Sequence, residues 1–244
     1  MKIIRIAVAC IVVIPLLVLS LVYAFIPAGI LTLFGARKVA DRWLELCGRF
    51  ISNCSLFAIG VKVHVDGREN LPTETNICYM ANHQSMLDIL AFAGPAKLWA
   101  SIFAKAEIRR VPIINLWCYA LDCVFIERTS PHDAVKAILK GVQKLKDGKP
   151  MLIFPEGTRS KVDSIGELKN GSLKLATRSN AIIVPITIKG LRHGLEGITN
   201  FRRVHAYFSI GKPIPTASLS KEEVATLHDR VYGEVKSRFN ELPS

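Results

Sequence analysis

The chain has 244 residues, half of them hydrophobic, and 32 Lys and Arg against 20 Asp and Glu, for a formal net charge of +12. That length holds one sizeable folded domain plus an appendage. Residues 1–36 contain only Lys2 and Arg5 and no acid, so the other 208 residues hold 30 minus 20, or +10. A body this basic suits an anionic partner: nucleic acid, an anionic bilayer or a phosphorylated substrate. Nucleic acid is set aside, because the sequence has no Cys/His finger, no RNA-binding aromatic motif and no run of five basic residues.

From Ile6 to Ala36 there is no charged side chain over 31 residues. As one helix this stretch would run about 46 Å, longer than the roughly 30 Å hydrocarbon core. Pro15 and Pro27 are positions where it can kink or end. A cleaved signal peptide with Val22-Tyr23-Ala24 as its cut is one alternative, but the apolar run continues past it through Phe34. Basic residues flank both ends (Lys2 and Arg5, then Arg37, Lys38 and Arg42), so both ends prefer the same side of a bilayer. A re-entrant or half-embedded hairpin is therefore expected, with a single span as the alternative. Trp43 suits an interfacial anchor. Asp41–Ile59 places Trp43, Leu44, Cys47, Phe50, Ile51, Cys54 and Phe57 at helical spacing. This amphipathic helix either lies on the bilayer or docks on the domain core.

After Gly60 the rhythm changes. Short apolar runs predict strands at Val61–Val65, Asn76–Met80, Trp99–Ala104, Cys123–Glu127, Met151–Phe154, Ala181–Ile188 and Val204–Ile210. Helices are predicted at Ser85–Phe92, Arg109–Ala120, Pro131–Lys146, Leu168–Ser179 and Lys221–Leu242. Ser130-Pro131 and the Ser220-x-x-Glu223 capping box mark two of the helix starts. Alternation of this kind defines an α/β fold, a mostly parallel mixed sheet with helices on both faces. The expected division is a membrane-associated helical segment at 1–59 followed by an α/β domain at 60–244. Six cysteines without a C-x-x-C pair read as reduced thiols, so neither a disulfide nor a metal site is expected. No cofactor is expected either.

The chemistry gathers where predicted strands end. His83 follows the Ile77–Met80 run, and Asp88 lies five residues on. On a continuous helix that spacing would separate the two side chains by about 140°. His83 therefore belongs in the turn and Asp88 one turn inside, where its carboxylate can hold one ring nitrogen and leave the other to accept a proton. Leu152–Ser160 carries an apolar strand into a turn containing Glu156, Gly157, Thr158 and Arg159, and an arginine there suits a phosphate. Lys105 and Arg128 also follow apolar runs, and Pro185 sits within one, as at a sheet edge or a bulge.

In that order along the chain, the His83, Arg128, Arg159 and Pro185 stretches resemble the glycerolipid acyltransferase superfamily, and most closely the bacterial 1-acyl-sn-glycerol-3-phosphate acyltransferases. The Asn-His-x4-Asp block is matched by Asn82, His83 and Asp88, and the Phe-Pro-Glu-Gly-Thr-Arg-Ser block is unchanged from Phe154 to Ser160. A block commonly written Gly-x-x-Phe-Ile-Asp-Arg is matched at Phe125, Ile126 and Arg128, with Glu127 for Asp and Asp122 for Gly. The fourth block is matched at Val184-Pro185.

The resemblance implies transfer of a fatty acyl group from acyl-CoA or an acyl carrier protein to the free hydroxyl of lysophosphatidic acid, giving phosphatidic acid. His83 would be the base and Asp88 its orienter. Asn82, Glu156, Gly157, Thr158 and Arg159 would line the substrate site, with Lys105 and Arg128 as further phosphate contacts. The expected location is the cell membrane, with the α/β domain facing the cytoplasm. Glycerol 3-phosphate or another lysophospholipid is the alternative acceptor. A hydrolase using Ser85 or Ser160 is the alternative chemistry, although the sequence lacks a G-x-S-x-G nucleophile elbow.

Overall fold

The computed structural model describes residues 2–127, 131–160, 162–197 and 202–243. The apolar run forms α1 (Lys2–Ser20), a π-helical turn at Leu21–Phe25 and α2 (Ile26–Leu33), joined without a break. The chain reverses only at the end of the run, at Phe34–Ala36, so the basic flanks stand at opposite ends of one helical unit. Pro15 is carried within α1, and Pro27 falls just after the π-helical turn, near the start of α2. Ile6–Leu33 is the one stretch among the described residues long and apolar enough to cross a membrane.

Helix α3 (Arg37–Ile59) returns alongside this helix. Trp43 Nε1 donates to the Tyr23 carbonyl in the π-turn at 3.1 Å, and the Trp117 indole nitrogen donates to Ser20 at 3.2 Å. The apolar residues expected on one face of α3 divide between a buried and an exposed side. Cys47, Ile51, Leu56 and Ile59 are buried, while Val39, Trp43, Leu46, Phe50 and Phe57 remain exposed. With Ile11, Val22 and Ile30 also exposed, the hairpin presents an apolar surface much larger than scattered single residues would give.

Gly60, left-handed at φ 78°, ends α3 and turns the chain into β1 (Val61–Asp66). Then follow β2 (Ile77–Ala81), α4 (Leu87–Ala93), β3 (Ser101–Lys105), α5 (Ile114–Ala120) and β4 (Val124–Ile126). The single helix expected over 109–120 is divided. A 3-10 turn takes Ala106–Arg110, and α5 starts only after Pro112, whose ring disfavours helix for the residue before it. Next come α6 (Pro131–Lys146), β5 (Met151–Ile153), α7 (Asn170–Ser179), β6 (Ile182–Lys189) and α8 (Arg192–Leu195). The chain closes with β7 (Val204–Ile210), β8 (Ile214–Pro215) and α9 (Lys221–Glu241). The α9 capping box is formed, with Ser220 Oγ accepting from the Glu223 amide and Glu223 returning the bond.

The sheet order is β1-β7-β6-β2-β5-β3-β4, with β8 also paired to β6. The run β6-β2-β5-β3-β4 is parallel throughout, and the direction reverses between β6 and β7. The five residues of β2 are all buried, as a central parallel strand covered on both faces must be. Ile77, Tyr79 and Ala81 face a core shared with α3 and α4, while Cys78 and Met80 face one shared with α6, α7 and α9. Parallel pairing brings the C-terminal ends of β2, β3, β4 and β5 to one edge of the sheet. Ligand sites of open α/β sheets form at such an edge.

Pro185 corrects an expectation. It lies in a central strand, where an edge or bulge was anticipated. On the side its nitrogen faces, β6 pairs with β8 at 182–183 and with β7 only from 186, so no ladder donor is missing at 185. The Pro185 carbonyl accepts from the Gly211 amide at 2.8 Å in that gap. At Asp122 the backbone is left-handed, φ 52°, which explains why glycine suits that position. The Asp122 carboxylate is matched there by Lys144 at 2.5 Å and Lys149 at 2.8 Å.

Gly67 makes the turn out of β1 at φ 77°, and a Cβ there would lie 2.0 Å from the Ile210 carbonyl oxygen. Gly67→Ala should lower stability by at least about 2 kcal/mol, combining left-handed strain with the backbone clash. Thermal unfolding in detergent micelles checks this; an unchanged melting temperature would mean that the turn relaxes away from Ile210.

Candidate active site

Asn82 and His83 leave the end of β2, and the chain turns through Gln84–Met86 before entering α4. Asp88 lies in the first turn of α4 and is wholly buried. Its Oδ2 accepts from the Gln84 amide at 2.8 Å and the Ser85 amide at 3.0 Å, and it lies 2.7 Å from His83 Nδ1. An oxygen that already takes two amide protons acts as an acceptor, so His83 Nδ1 is the donor and Nε2 is left as the basic nitrogen. Burial pushes the Asp88 carboxyl up, and the hydrogen bonds from His83, Ser85 and Gln84 pull against that rise.

The Phe154–Ser160 turn folds onto the same histidine. The Phe154 ring stacks on the imidazole at 4.0 Å between centroids and 16° between planes. Glu156 is buried, with Oε1 accepting from the His83 amide at 2.9 Å and Oε2 from the Gly166 amide at 3.1 Å. Burial raises its carboxyl, and those two amides act in the opposite sense. The Ser160 amide donates to the His83 carbonyl at 2.8 Å. The ring is thus fixed through a nitrogen, a face and the main chain, which is the preorganisation a general base requires.

The other expected residues divide by what they touch. Asn82 is buried, and its amide exchanges two bonds with the Ile188 backbone at 2.8 and 2.7 Å, fastening the end of β2 to β6. Asn82 and Glu156 therefore hold the turn rather than present polar atoms to the surface. Gly157, at φ 71°, lines a groove beside His83, and Thr158 is exposed. Lys105, on the same sheet edge, pairs with Glu107 at 2.6 Å. Arg128 lies outside the described residues.

Arg159 pairs with Glu196 at 3.0 Å. Glu196 also accepts from Ser85 Oγ at 2.6 Å and from the Met86 amide at 3.0 Å. Sequence reasoning missed this residue, which lies just past α8, more than a hundred positions from the turn it braces. It also missed Lys169, whose ammonium lies 2.7 Å from where a side chain at 157 would begin. The Ser85 and Ser160 hydroxyls donate to Glu196 and to the Val162 carbonyl, not to the imidazole.

His83 opens into a groove of ≈ 700 Å³ running between α6 and α7, lined by Phe103, Ile126, Ile138, Ile153 and Phe154 among others. A larger cavity of ≈ 950 Å³ lies between the hairpin and α5 and does not include His83. A buried carboxylate–imidazole pair at the C-terminal edge of a parallel sheet, beside a groove with apolar and cationic walls, has the geometry that a general base requires.

The comparisons with known proteins agree with that class. The acyltransferase family model matches residues 62–189, more than half of the chain. The 1-acyl-sn-glycerol-3-phosphate acyltransferase of Saccharomyces cerevisiae is 30% identical over 227 residues, 90% of this chain and 73% of that one. The enzyme of the same name from Borreliella burgdorferi is 28% identical over 189 residues, 77% of this chain and 76% of its relative. Among solved structures, the 1-acyl-sn-glycerophosphate (LPA) acyltransferase PlsC from Thermotoga maritima superposes with a TM-score of 0.77 at 26% identity, covering 97% of both chains. The chain belongs to the acyltransferase family.

Two substitutions separate chemistry from scaffold. Asp88→Asn keeps an acceptor for the two amides and removes a charge that burial disfavours. Because the folded-state value is raised, the ionised carboxylate costs stability above it, and that cost disappears in the variant. Asparagine also sets an NH2 where the buried Oδ1 has no partner, which offsets that gain, so the melting temperature should change little while turnover falls about 10²–10⁴-fold. Asn82→Ala strands the buried Ile188 N–H and C=O and should cost about 2–4 kcal/mol in unfolding free energy. Wild-type stability in Asn82→Ala would remove Asn82 from the scaffold.

Proposed function

We propose that this protein transfers a fatty acyl group from a thioester to the free hydroxyl of lysophosphatidic acid, forming phosphatidic acid. The observation that carries the reading is the His83–Asp88 pair, 2.7 Å apart, with His83 lining a groove of apolar and cationic side chains. The relatives' names supply the substrate class.

In the reaction His83 Nε2 takes the hydroxyl proton as the oxygen attacks the thioester carbonyl carbon. The tetrahedral intermediate collapses with cleavage of the C–S bond, and the imidazolium returns the proton to the leaving thiolate. Asp88 holds the tautomer and stabilises the cation that forms transiently. No covalent enzyme intermediate is needed. Arg159 is the binder of the acceptor's phosphate, aided by the Gly157–Thr158 turn. Its present partner, Glu196, is a carboxylate in the place that a phosphate would take. Lys105 and Arg128 are additional phosphate contacts.

The acyl donor is acyl-CoA or an acyl carrier protein, both of which end in a phosphopantetheine thiol. The exposed apolar surface of α1, α2 and α3 seats the protein in the cell membrane, with the α/β domain in the cytoplasm.

The test is purified full-length protein in detergent with acyl-CoA and lysophosphatidic acid, following free thiol and lipid product together. Thiol and phosphatidic acid should appear in equal amounts, and both should fall about 10²–10⁴-fold in His83→Ala without loss of fold. Thiol with free fatty acid would replace transfer by hydrolysis, and substantial turnover in a folded His83→Ala would remove His83 as the base.

A further inference from the structure

The groove at His83 has two unlike walls. Helix α6 contributes Val135 and Ile138, and the floor includes Phe103 and Ile153. The α7 wall presents Gly171, Lys174 and Arg178, spaced i, i+3 and i+7 and therefore on one helical face. Lys169 stands at the His83 end, just before α7. Lys174 and Arg178 are exposed, and among the described residues no ion pair engages either of them or Lys169. Arg159 differs: it is matched by Glu196 beside Ser85 and Met86, and it does not line this groove.

Reach decides which phosphate such cations can serve. In the acceptor, the free hydroxyl and the phosphate ester sit on adjacent carbons, so a hydroxyl at His83 keeps its phosphate close to His83. Arg178 lies nine residues along from Lys169, about 13 Å at the rise of an α-helix. A donor thioester carries its first phosphate at the far end of the pantetheine arm. That arm combines methylene and gem-dimethyl groups with two amides, and it suits a groove with an aliphatic wall opposite a cationic one.

We infer that the α6–α7 groove receives the phosphopantetheine arm of the acyl donor, with Lys174 and Arg178 taking its phosphate. This rests on the thioester-dependent reading above and adds the place where the donor binds. The groove gives one arm site for both donor types, because acyl-CoA and acyl carrier protein share that phosphate.

The test compares the full chain with Lys174→Ala/Arg178→Ala and Lys174→Gln/Arg178→Gln, using lysophosphatidic acid and four donors. These are acyl-pantetheine, acyl-phosphopantetheine, acyl-CoA and acyl carrier protein. The wild-type protein should prefer acyl-phosphopantetheine to acyl-pantetheine in kcat/KM. Both double variants should lose about five- to tenfold of that preference, as expected for two exposed charge contacts. The same loss should appear with acyl-CoA and acyl carrier protein, while KM for lysophosphatidic acid stays unmoved. Lys174→Arg/Arg178→Lys should restore the preference.

A preference that survives in both neutral variants overturns the assignment, as does a wild-type protein indifferent to the arm's phosphate. A loss confined to acyl-CoA transfers the cations to the nucleotide phosphates and also overturns it. Absence of acyl transfer from all four donors in the wild-type protein would instead defeat the proposed function.

Discussion

The geometry of this protein turns on one buried carboxylate. Asp88 has no exposed surface, and a single oxygen, Oδ2, gathers two main-chain amides and the His83 ring. A buried ionised group is costly unless its partners are fixed, so this arrangement demands a rigid turn between β2 and α4. The turn in turn fixes which imidazole nitrogen faces the groove. Catalytic competence and local folding are thus one constraint at this point.

The surroundings supply that rigidity from distant parts of the chain. Asn82 ties the end of β2 to β6, Glu156 holds the His83 amide from the β5 end, and Glu196 reaches the start of α4 from beyond α8. Each is a polar side chain whose hydrogen bonds go to the backbone, to a hydroxyl or to another charged group, so the site forms only when several strands have paired. The sheet permits this because β2 is central and its C-terminal end meets the ends of β5 and β6. The hairpin contrasts with this site. Its outer surface is apolar, while its inner side meets Trp99 and Trp117 through Gly48, where a methyl group would stand 2.6 Å from the Trp99 ring. A glycine at that contact lets α3 approach the domain closely.

The fold was largely legible because its signals are local. All seven strands anticipated from apolar runs are present, together with helices at each of the expected places, with shifted ends. The failures have local physical causes. Pro112 divides the helix expected over 109–120, and Lys169 adopts an extended conformation that delays α7 to Asn170. Strand β8, two residues long, gives too short a signal to read. Pro185 was misplaced because sheet position is not written in a strand's own sequence; its tolerance comes from the change of partner between β8 and β7.

For the site, the sequence by itself determined which groups are available: a histidine in a turn, an aspartate at a reachable spacing, and a strand-end turn rich in polar groups. Spacing along the chain suffices there, because His83 and Asp88 are joined by one short turn. Only the tertiary structure decided that Asn82 and Glu156 face inward, that Arg159 is held by Glu196, and that Lys169, Lys174 and Arg178 line the groove. Those relations depend on contacts across tens to hundreds of residues. No local propensity encodes such a contact; it arises when burial of the strands fixes which ends of the sheet come together.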